Sequence, residues 1–238
     1  MKTIKQSLLF IALLALIGLT GCDDQFIRGN GISGNESRYT STFDGVKSSG
    51  NFEIHITGGD EFTVMVNAET NLLQYIDTRV SGNTLYIDVR GFHSLHNRLP
   101  MEVYITTPYL DGIKQSGSGT ITTGYFHADR FDISISGSGS IETAVECDDL
   151  DINISGSGRV QIYGQAEVAD FKISGSGKIN ACELETKDCK SQVSGSGDIC
   201  VYVERFLVAT ISGSGNIFYR GDPTIESHIS GSGKIIPD

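Results

Sequence analysis

The chain has 238 residues, of which 39% are hydrophobic and 8% aromatic, and it contains no tryptophan. This length suffices for one or two domains with a hydrophobic core. The formal net charge of −11 at pH 7 argues against the basic surface that nucleic-acid binding requires, so no nucleic-acid partner is expected.

Residues 1–21 are predicted to form a signal peptide. Lys2 and Lys5 give a positive start, and the apolar run from Leu8 to Leu19 is shorter than the roughly 20 residues that span a bilayer. The sequence around Cys22 resembles a bacterial lipobox, which implies acylation of that cysteine. We therefore predict an exported protein whose lipid anchor holds it in the outer membrane, facing the cell surface or the periplasm.

Two segments separate Cys22 from the repeats. Residues 22–40 begin with an acidic pair and are rich in Gly, Asn and Ser, which is typical of a flexible, lipidated tether. Residues 41–112 contain short runs with a period of two, which predict half-buried strands. One or two helical turns are expected over 69–76. We interpret residues 41–112 as an irregular β portion that serves as an N-terminal cap.

From residue 113 onward the chain is built on a repeat of 18 to 20 residues. A fixed period in this range is the signature of stacked structural units. The tetrapeptide Ser-Gly-Ser-Gly occurs seven times, beginning at Ser116, Ser136, Ser155, Ser174, Ser194, Ser212 and Ser230.

β-branched residues flank almost every tetrapeptide, at the position before it and at the fifth position after its first serine. Strand alternation across the motif predicts that both glycines face inward and both serines outward. The fold predicted is all-β, a parallel, right-handed β-helix of about seven regular rungs over residues 113–238. The alternative is a β-sandwich of hairpins that uses the tetrapeptides as turns, with antiparallel neighbours.

The segment from Phe43 to Phe52 (FDGVKSSGNF) and the repeated Ile-Ser-Gly-Ser-Gly resemble the family called putative auto-transporter adhesin, head GIN domain. The resemblance covers residues 40–236. It implies a β-helical fold, a location in the cell envelope and a role in adhesion, and it brings no catalytic residues.

Two polar columns flank the Ser-Gly corner and supply five of the eleven predicted binding residues, and serines of the corner supply the other six. The two columns contain more Lys and Arg than acid, which favours an anionic glycan or the acidic side of a neighbouring protein. The candidate residues are Lys114, Ser136, Ser138, Ser155, Ser157, Arg159, Lys172, Ser174, Ser176, Lys178 and Lys234.

Three acids, Asp132, Asp151 and Asp170, recur four positions before the tetrapeptide in consecutive repeats. Stacked like charges repel, so the sequence favours solvation of this column and offers a calcium ion as a weaker alternative. No cofactor is expected. Four cysteines follow Cys22, at 147, 182, 189 and 200, and their three possible pairings stay open.

The sequence therefore favours a non-catalytic, adhesin-like envelope lipoprotein that binds a glycan or a protein along a repeated face. A structural protein that self-associates into homo-oligomers is the alternative. A carbohydrate-active enzyme ranks third, because no cleft or aromatic platform is evident beside the acids.

Overall fold

The computed structural model describes residues 25–238. The predicted signal peptide and Cys22 lie outside the described residues. A single turn of 3-10 helix, Leu73–Tyr75, is the only helix among residues 25–238. The strands are β1 Gln25–Arg28, β2 Ser33–Arg38, β3 Gly45–Gly50, β4 Glu53–Gly58, β5 Thr63–Glu69, β6 Ile76–Ser81, β7 Thr84–Val89, β8 His93–His96, β9 Glu102–Thr107, β10 Gly112–Gly117, β11 Thr120–Gly137, β12 Ser140–Gly156, β13 Arg159–Gly175, β14 Lys178–Gly195, β15 Asp198–Gly213, β16 Asn216–Arg220, β17 Thr224–Gly231 and β18 Lys234–Pro237.

The repeats form a β-solenoid of about seven turns, which confirms the predicted fold class. Each repeat supplies one rung, and every strand from β10 to β18 pairs in parallel with its counterpart in the next rung. Ser136 pairs with Ser155, and Ser155 with Ser174, so the tetrapeptides stack in register. This register is incompatible with the antiparallel hairpins of the β-sandwich alternative.

Glycine is required at both positions of the corner, for two different reasons. The first glycine has φ between +111° and +133° in all seven tetrapeptides, a region that L side chains rarely adopt. A Cβ on Gly156 would also lie 2.6 Å from the carbonyl oxygen of Gly137 in the preceding rung. The second glycine faces the interior, where a Cβ on Gly158 would meet Ile135 at 2.5 Å.

The prediction that both glycines face inward therefore needs one refinement. A Cβ on the first glycine would meet only the backbone of the rung before it in the regular corners, whereas one on the second would meet an inward side chain as well as that backbone. Both serines of most tetrapeptides are exposed, in agreement with the predicted alternation. Backbone hydrogen bonds cross the corner, since Ser157 N–H donates to Gly137 O at 2.9 Å and Ser176 N–H donates to Gly156 O at 2.9 Å.

The β-branched residues form continuous internal columns. Ile135, Ile154 and Ile173 stack in register and are at most 2% exposed. Burying one such side chain stabilises a fold by about 1.5–3 kcal/mol, and stacking lets each rung bury the apolar face of its neighbour. One hydrophobic cluster runs from Phe43 to Ile217, so the N-terminal portion and the repeats share a core.

The N-terminal portion continues the solenoid and then departs from it. Strand β3 stacks in parallel on β10, and β4 stacks on β11, so the FDGVKSSGNF segment forms a further rung with its own corner at Gly50. Antiparallel pairs appear only here within residues 25–238, between β2 and β5, β5 and β9, and β6 and β7. The described part of the predicted tether differs from a flexible linker, because β1 and β2 pair with β8 and β5.

A buried carboxylate joins the first strands to this portion. Glu69 is fully buried and accepts hydrogen bonds from the backbone N–H of Gly31 at 2.5 Å and of Arg98 at 2.8 Å. Desolvation raises the pKa of Glu69, but backbone donors at Arg98, Gly31 and Leu99 more than offset it, so the pKa lies below its ordinary value. No sequence pattern indicated this interaction, which joins residues 29 to 38 positions apart.

Among the described residues the structure contains a single disulfide, so none of the three possible pairings of the four cysteines is completed. Cys182 and Cys200 form a disulfide between adjacent rungs, with a Cα–Cα distance of 5.2 Å. Cys147 and Cys189 are free and buried, and burial raises the pKa of each thiol to about 12. Neither thiol is therefore ionised near neutral pH, which makes both poor nucleophiles.

The corner geometry predicts that Gly156→Ala destabilises the protein by about 2 kcal/mol or more, since positive φ at a non-glycine residue alone costs about 1–3 kcal/mol. Chemical denaturation would measure this loss. Ser155→Ala, one residue earlier on the exposed surface, is the matched control and should change stability by less than about 0.5 kcal/mol. Equal effects of the two substitutions would contradict this account of the corner.

The buried carboxylate predicts a pH-dependent contribution to stability. Because the folded pKa of Glu69 is lowered, its contribution is fully present above the unfolded-chain value of 4.5 and declines as the pH falls below it. Glu69→Gln should therefore lower the melting temperature by several degrees at pH 7, and the gap to the unsubstituted chain should narrow towards pH 3. A gap that widens on acidification would refute this assignment.

Candidate functional site

An open groove runs across the rungs on the outer surface, next to the corner. It is formed by the ends of the strands that lead into the tetrapeptides. It has a volume of about 520 Å³ and crosses the rungs from β3 to β14. Two outward columns line it, one at the first serine of each tetrapeptide and one two residues before. We call this surface the lysine–serine groove. Its charged and hydroxyl residues are Lys47, Lys114, Lys172, Ser116, Ser134, Ser136, Ser155, Ser174 and Ser194.

The groove brings together five of the predicted binding residues. Parallel pairing in register aligns their side chains with the rung spacing of roughly 4.8 Å. Asn153 and Gln192 occupy the same column as the lysines and add amide groups to the lining. The five predicted residues are Lys114, Ser136, Ser155, Lys172 and Ser174.

Lys47 lines the groove but is not among the binding residues predicted from the sequence. It pairs in register with Lys114, and Ser49 pairs with Ser116, so the groove continues into the N-terminal portion. The Lys47 Nζ lies 5.6 Å from the centroid of the Tyr86 ring, within the range of a cation–π contact. The similarity of Val46-Lys47-Ser48-Ser49-Gly50 to the later corners was the signal that could have identified it.

The other predicted residues lie past the corner, outside the groove lining. Ser138, Ser157 and Ser176 are exposed on the corner itself. Arg159 and Lys178 stack beside each other on the following face, where Asp198 is the next residue in the column. Lys234 belongs to the same column, but Asp198 and Asn216 separate it from Lys178. The predicted strip is thus two surfaces that meet at the bend.

The predicted Asp column is confirmed in its register, since Asp132, Asp151 and Asp170 occupy one ladder across three rungs. Side-chain cations lie against this ladder. Arg130 pairs with Asp132 at 3.3 Å and also with Asp151, while Lys172 pairs with Asp170 at 2.8 Å. These ion pairs reduce the repulsion between the three stacked carboxylates, which was the reason for considering a calcium ion there. They also tie up part of the charge of Lys172, which the sequence counted as free.

A second groove, of about 410 Å³, lies at the other bend of the rungs and has the opposite charge. Its floor includes Cys147 and small residues, and its walls are largely acidic. Lys187 contacts Glu167 at 2.5 Å, so the negative charge is partly compensated. Sequence reasoning missed this groove. Its carboxylates are Asp129, Glu146, Asp148, Glu167, Glu185 and Glu204.

The geometry of the lysine–serine groove suits an extended ligand that lies across successive rungs. The lysine–serine groove offers hydroxyl groups that both donate and accept hydrogen bonds, together with ammonium groups that only donate. An extended ligand with hydroxyl or carboxylate groups at regular intervals would find matching partners on successive rungs. No helix among residues 25–238 is long and apolar enough to cross a membrane.

Solved structures of several bacterial proteins share this fold. A protein described as a putative adhesin from Bacteroides fragilis is 25% identical, with a TM-score of 0.84 over 89% of this chain and 100% of its own. A protein described as a putative lipid binding protein from Parabacteroides distasonis is 26% identical, with a TM-score of 0.76 over 90% of this chain and 100% of its own. A putative adhesin from Parabacteroides merdae, 20% identical, has a TM-score of 0.72 over 90% of this chain and 99% of its own, and shows the fold alone.

The comparison with curated proteins gives no match. A family model matches residues 42–223, which include the first GVKSSG corner and six of the seven tetrapeptides. The same residues build the stacked corners and the lysine–serine groove. The chain therefore belongs to the family described as putative auto-transporter adhesin, head GIN domain.

Proposed function

We propose that the protein is a non-catalytic, adhesin-like lipoprotein of the bacterial cell envelope that binds an anionic glycan along the lysine–serine groove. The observation that carries this proposal is the stacking of Lys and Ser in register over a groove of about 520 Å³. Membership of a family named for adhesion supports a binding role. Acylation at Cys22 would hold the solenoid at the outer membrane, which suits a surface that must meet an external ligand.

The spacing and charge of the groove favour a polysaccharide over a small ligand. The strand spacing of roughly 4.8 Å is comparable with the length of one sugar ring in an extended chain. Each rung can therefore contact successive sugars through a serine or an amide, while lysines at both ends of the groove attract carboxylate or sulfate groups. Many weak contacts along a rigid face give affinity without a deep pocket.

The contacts of the groove also bear on the enzyme hypothesis and on the choice between a glycan and a protein partner. An enzyme would require carboxyl groups free to act as acid and base, whereas the Asp132–Asp170 ladder is engaged by Arg130 and Lys172. A protein partner with a regular acidic strand would satisfy the same groove by charge, so binding to a protein ligand is an outcome that the experiment below distinguishes.

The double substitution Lys114→Gln/Lys172→Gln should weaken binding to an acidic polysaccharide such as polygalacturonate by about tenfold. Each substitution removes one charge-assisted contact. Solvent-exposed charge pairs contribute about 0.2–1 kcal/mol each, so the loss of two amounts to about a tenfold change. Affinity electrophoresis or a glycan array would measure the change, and added salt should weaken the unsubstituted chain in parallel.

The matched control is Lys187→Gln/Arg205→Gln, which removes two positive charges near the other bend. It should leave glycan binding unchanged. Equal loss in both double variants would assign the effect to net charge, and unchanged binding in Lys114→Gln/Lys172→Gln would refute the groove. Retention of acidic proteins without retention of any glycan would replace the glycan with a protein partner.

Self-association is a second candidate, favoured by the last rung. Ile225 is 37% exposed and Ile229 43% exposed, whereas Leu207 and Ile211, their partners in the preceding rung, are fully buried. Strand β17 pairs only with β15 among the described residues, so its other edge presents unpaired backbone groups. Such an edge is a template for pairing with another strand, here that of a second copy.

If the last rungs of two copies dock, the protein should form concentration-dependent dimers in analytical ultracentrifugation. Ile225→Lys/Ile229→Lys should abolish them, because a buried ammonium without a partner is strongly unfavourable. Glu226→Lys, on the same strand but on its other face, is the control and should preserve dimers. A monomer at every concentration in the unsubstituted chain would eliminate this candidate.

A further inference from the structure

Glu53 and His55 of β4 and Glu102 of β9 form a cluster on the face that follows the first corner. Glu53 and His55 are two residues apart on one strand and therefore share a face. Glu102 pairs in register with Glu53 on the neighbouring parallel strand. One ligand atom from each residue, the imidazole nitrogen and two carboxylate oxygens, lies within 4.8 Å of the others.

The two carboxylates stand side by side without a compensating cation. Directly paired like charges on adjacent strands are destabilising. Neither Glu53 nor Glu102 takes part in an ion pair within residues 25–238, unlike the Asp132–Asp170 ladder, where Arg130 and Lys172 serve that purpose. The cluster therefore carries uncompensated negative charge at a position where a cation would be stabilised.

Neighbouring side chains hold the cluster and extend its oxygen set. The His55 ring stacks on Tyr104 with centroids 5.0 Å apart and an interplanar angle of 24°, which restricts its orientation. Asn67 pairs in register with Glu102 on its other side, and its Oδ1 is buried without a hydrogen-bond partner among the described residues.

We propose that Glu53, His55 and Glu102 bind a zinc ion. An imidazole nitrogen with two carboxylate oxygens is a mixed set that suits zinc better than calcium or magnesium, which prefer oxygen ligands throughout. Zinc–ligand bonds of about 2.0–2.2 Å place tetrahedral ligand atoms about 3.4 Å apart, so a small rotation of these partly exposed side chains closes the site. Three protein ligands leave one coordination position for water or for a group from a bound partner.

The zinc site is separate from the lysine–serine groove, which lies on the face before the corner. The residues of the zinc site come from the N-terminal portion, outside the tetrapeptide repeats. Failure of glycan binding would therefore leave the zinc proposal intact, and failure of zinc binding would leave the groove intact.

Isothermal titration of the chain carrying Cys22→Ser with zinc chloride should show one binding site, since this background removes the one cysteine outside the described residues. Glu53→Gln/Glu102→Gln and His55→Ala should each weaken binding at least tenfold. The matched control is Glu142→Gln, which removes a carboxylate two strands further along the same face and should leave the affinity unchanged. Circular dichroism would establish that each variant keeps its strand content.

A second measurement does not depend on the variants. Zinc should shift the ring signals of His55 in proton–nitrogen NMR spectra and leave those of the other four histidines in place. Absence of zinc binding, or equal affinity in His55→Ala, would overturn the proposal. Tighter binding of calcium than of zinc, independent of His55, would also overturn it, because the imidazole would then have no role as a ligand.

Discussion

The stacking of one glycine corner on the next is the constraint on which the rest of the structure depends. The first glycine places its backbone so close to the preceding rung that the Ser157 N–H reaches the Gly137 carbonyl at 2.9 Å, and no Cβ could occupy that space. Each corner therefore aligns the rung on both sides of it. Because side chains alternate along a strand, a shift of one residue would turn the whole hydrophobic column outward. The corner thus fixes the core and the exposed columns together.

Stacking in register gives the surface a linear character that an ordinary globular fold lacks. Identical or similar residues repeat at the strand spacing, so like charges can meet on neighbouring rungs, as in the Asp132–Asp170 ladder and at Glu53 and Glu102. The protein resolves this in different ways. Arg130 and Lys172 neutralise the Asp ladder, serines dilute the lysines of the groove, and Glu53 and Glu102 are left to share a cation that we propose to be zinc.

The two ends of the solenoid are finished differently. At the N-terminal end, β1 pairs in parallel with β8, β2 pairs antiparallel with β5, and the buried Glu69 carboxylate accepts hydrogen bonds from the backbone of Gly31 and Arg98. At the last rung, Ile225 and Ile229 keep the inward orientation of their predecessors, but no further strand covers them among the described residues. The Cys182–Cys200 bridge links two rungs near this less protected end.

The sequence by itself determined the parallel solenoid, its period, the internal columns and much of the lysine–serine groove. It could do so because each of these features repeats every 18 to 20 residues, and stacked repeats translate sequence position directly into neighbourhood. Only the tertiary structure decided which candidates lie together and which are separated by the bend, such as Lys172 and Arg159. It also decided the cysteine pairing, the burial of Glu69 and the meeting of Glu53 with Glu102. The contacts of Glu69 and the Glu53–Glu102 pair lie outside the repeats and join residues up to 49 positions apart, so the repeat period could not have revealed them.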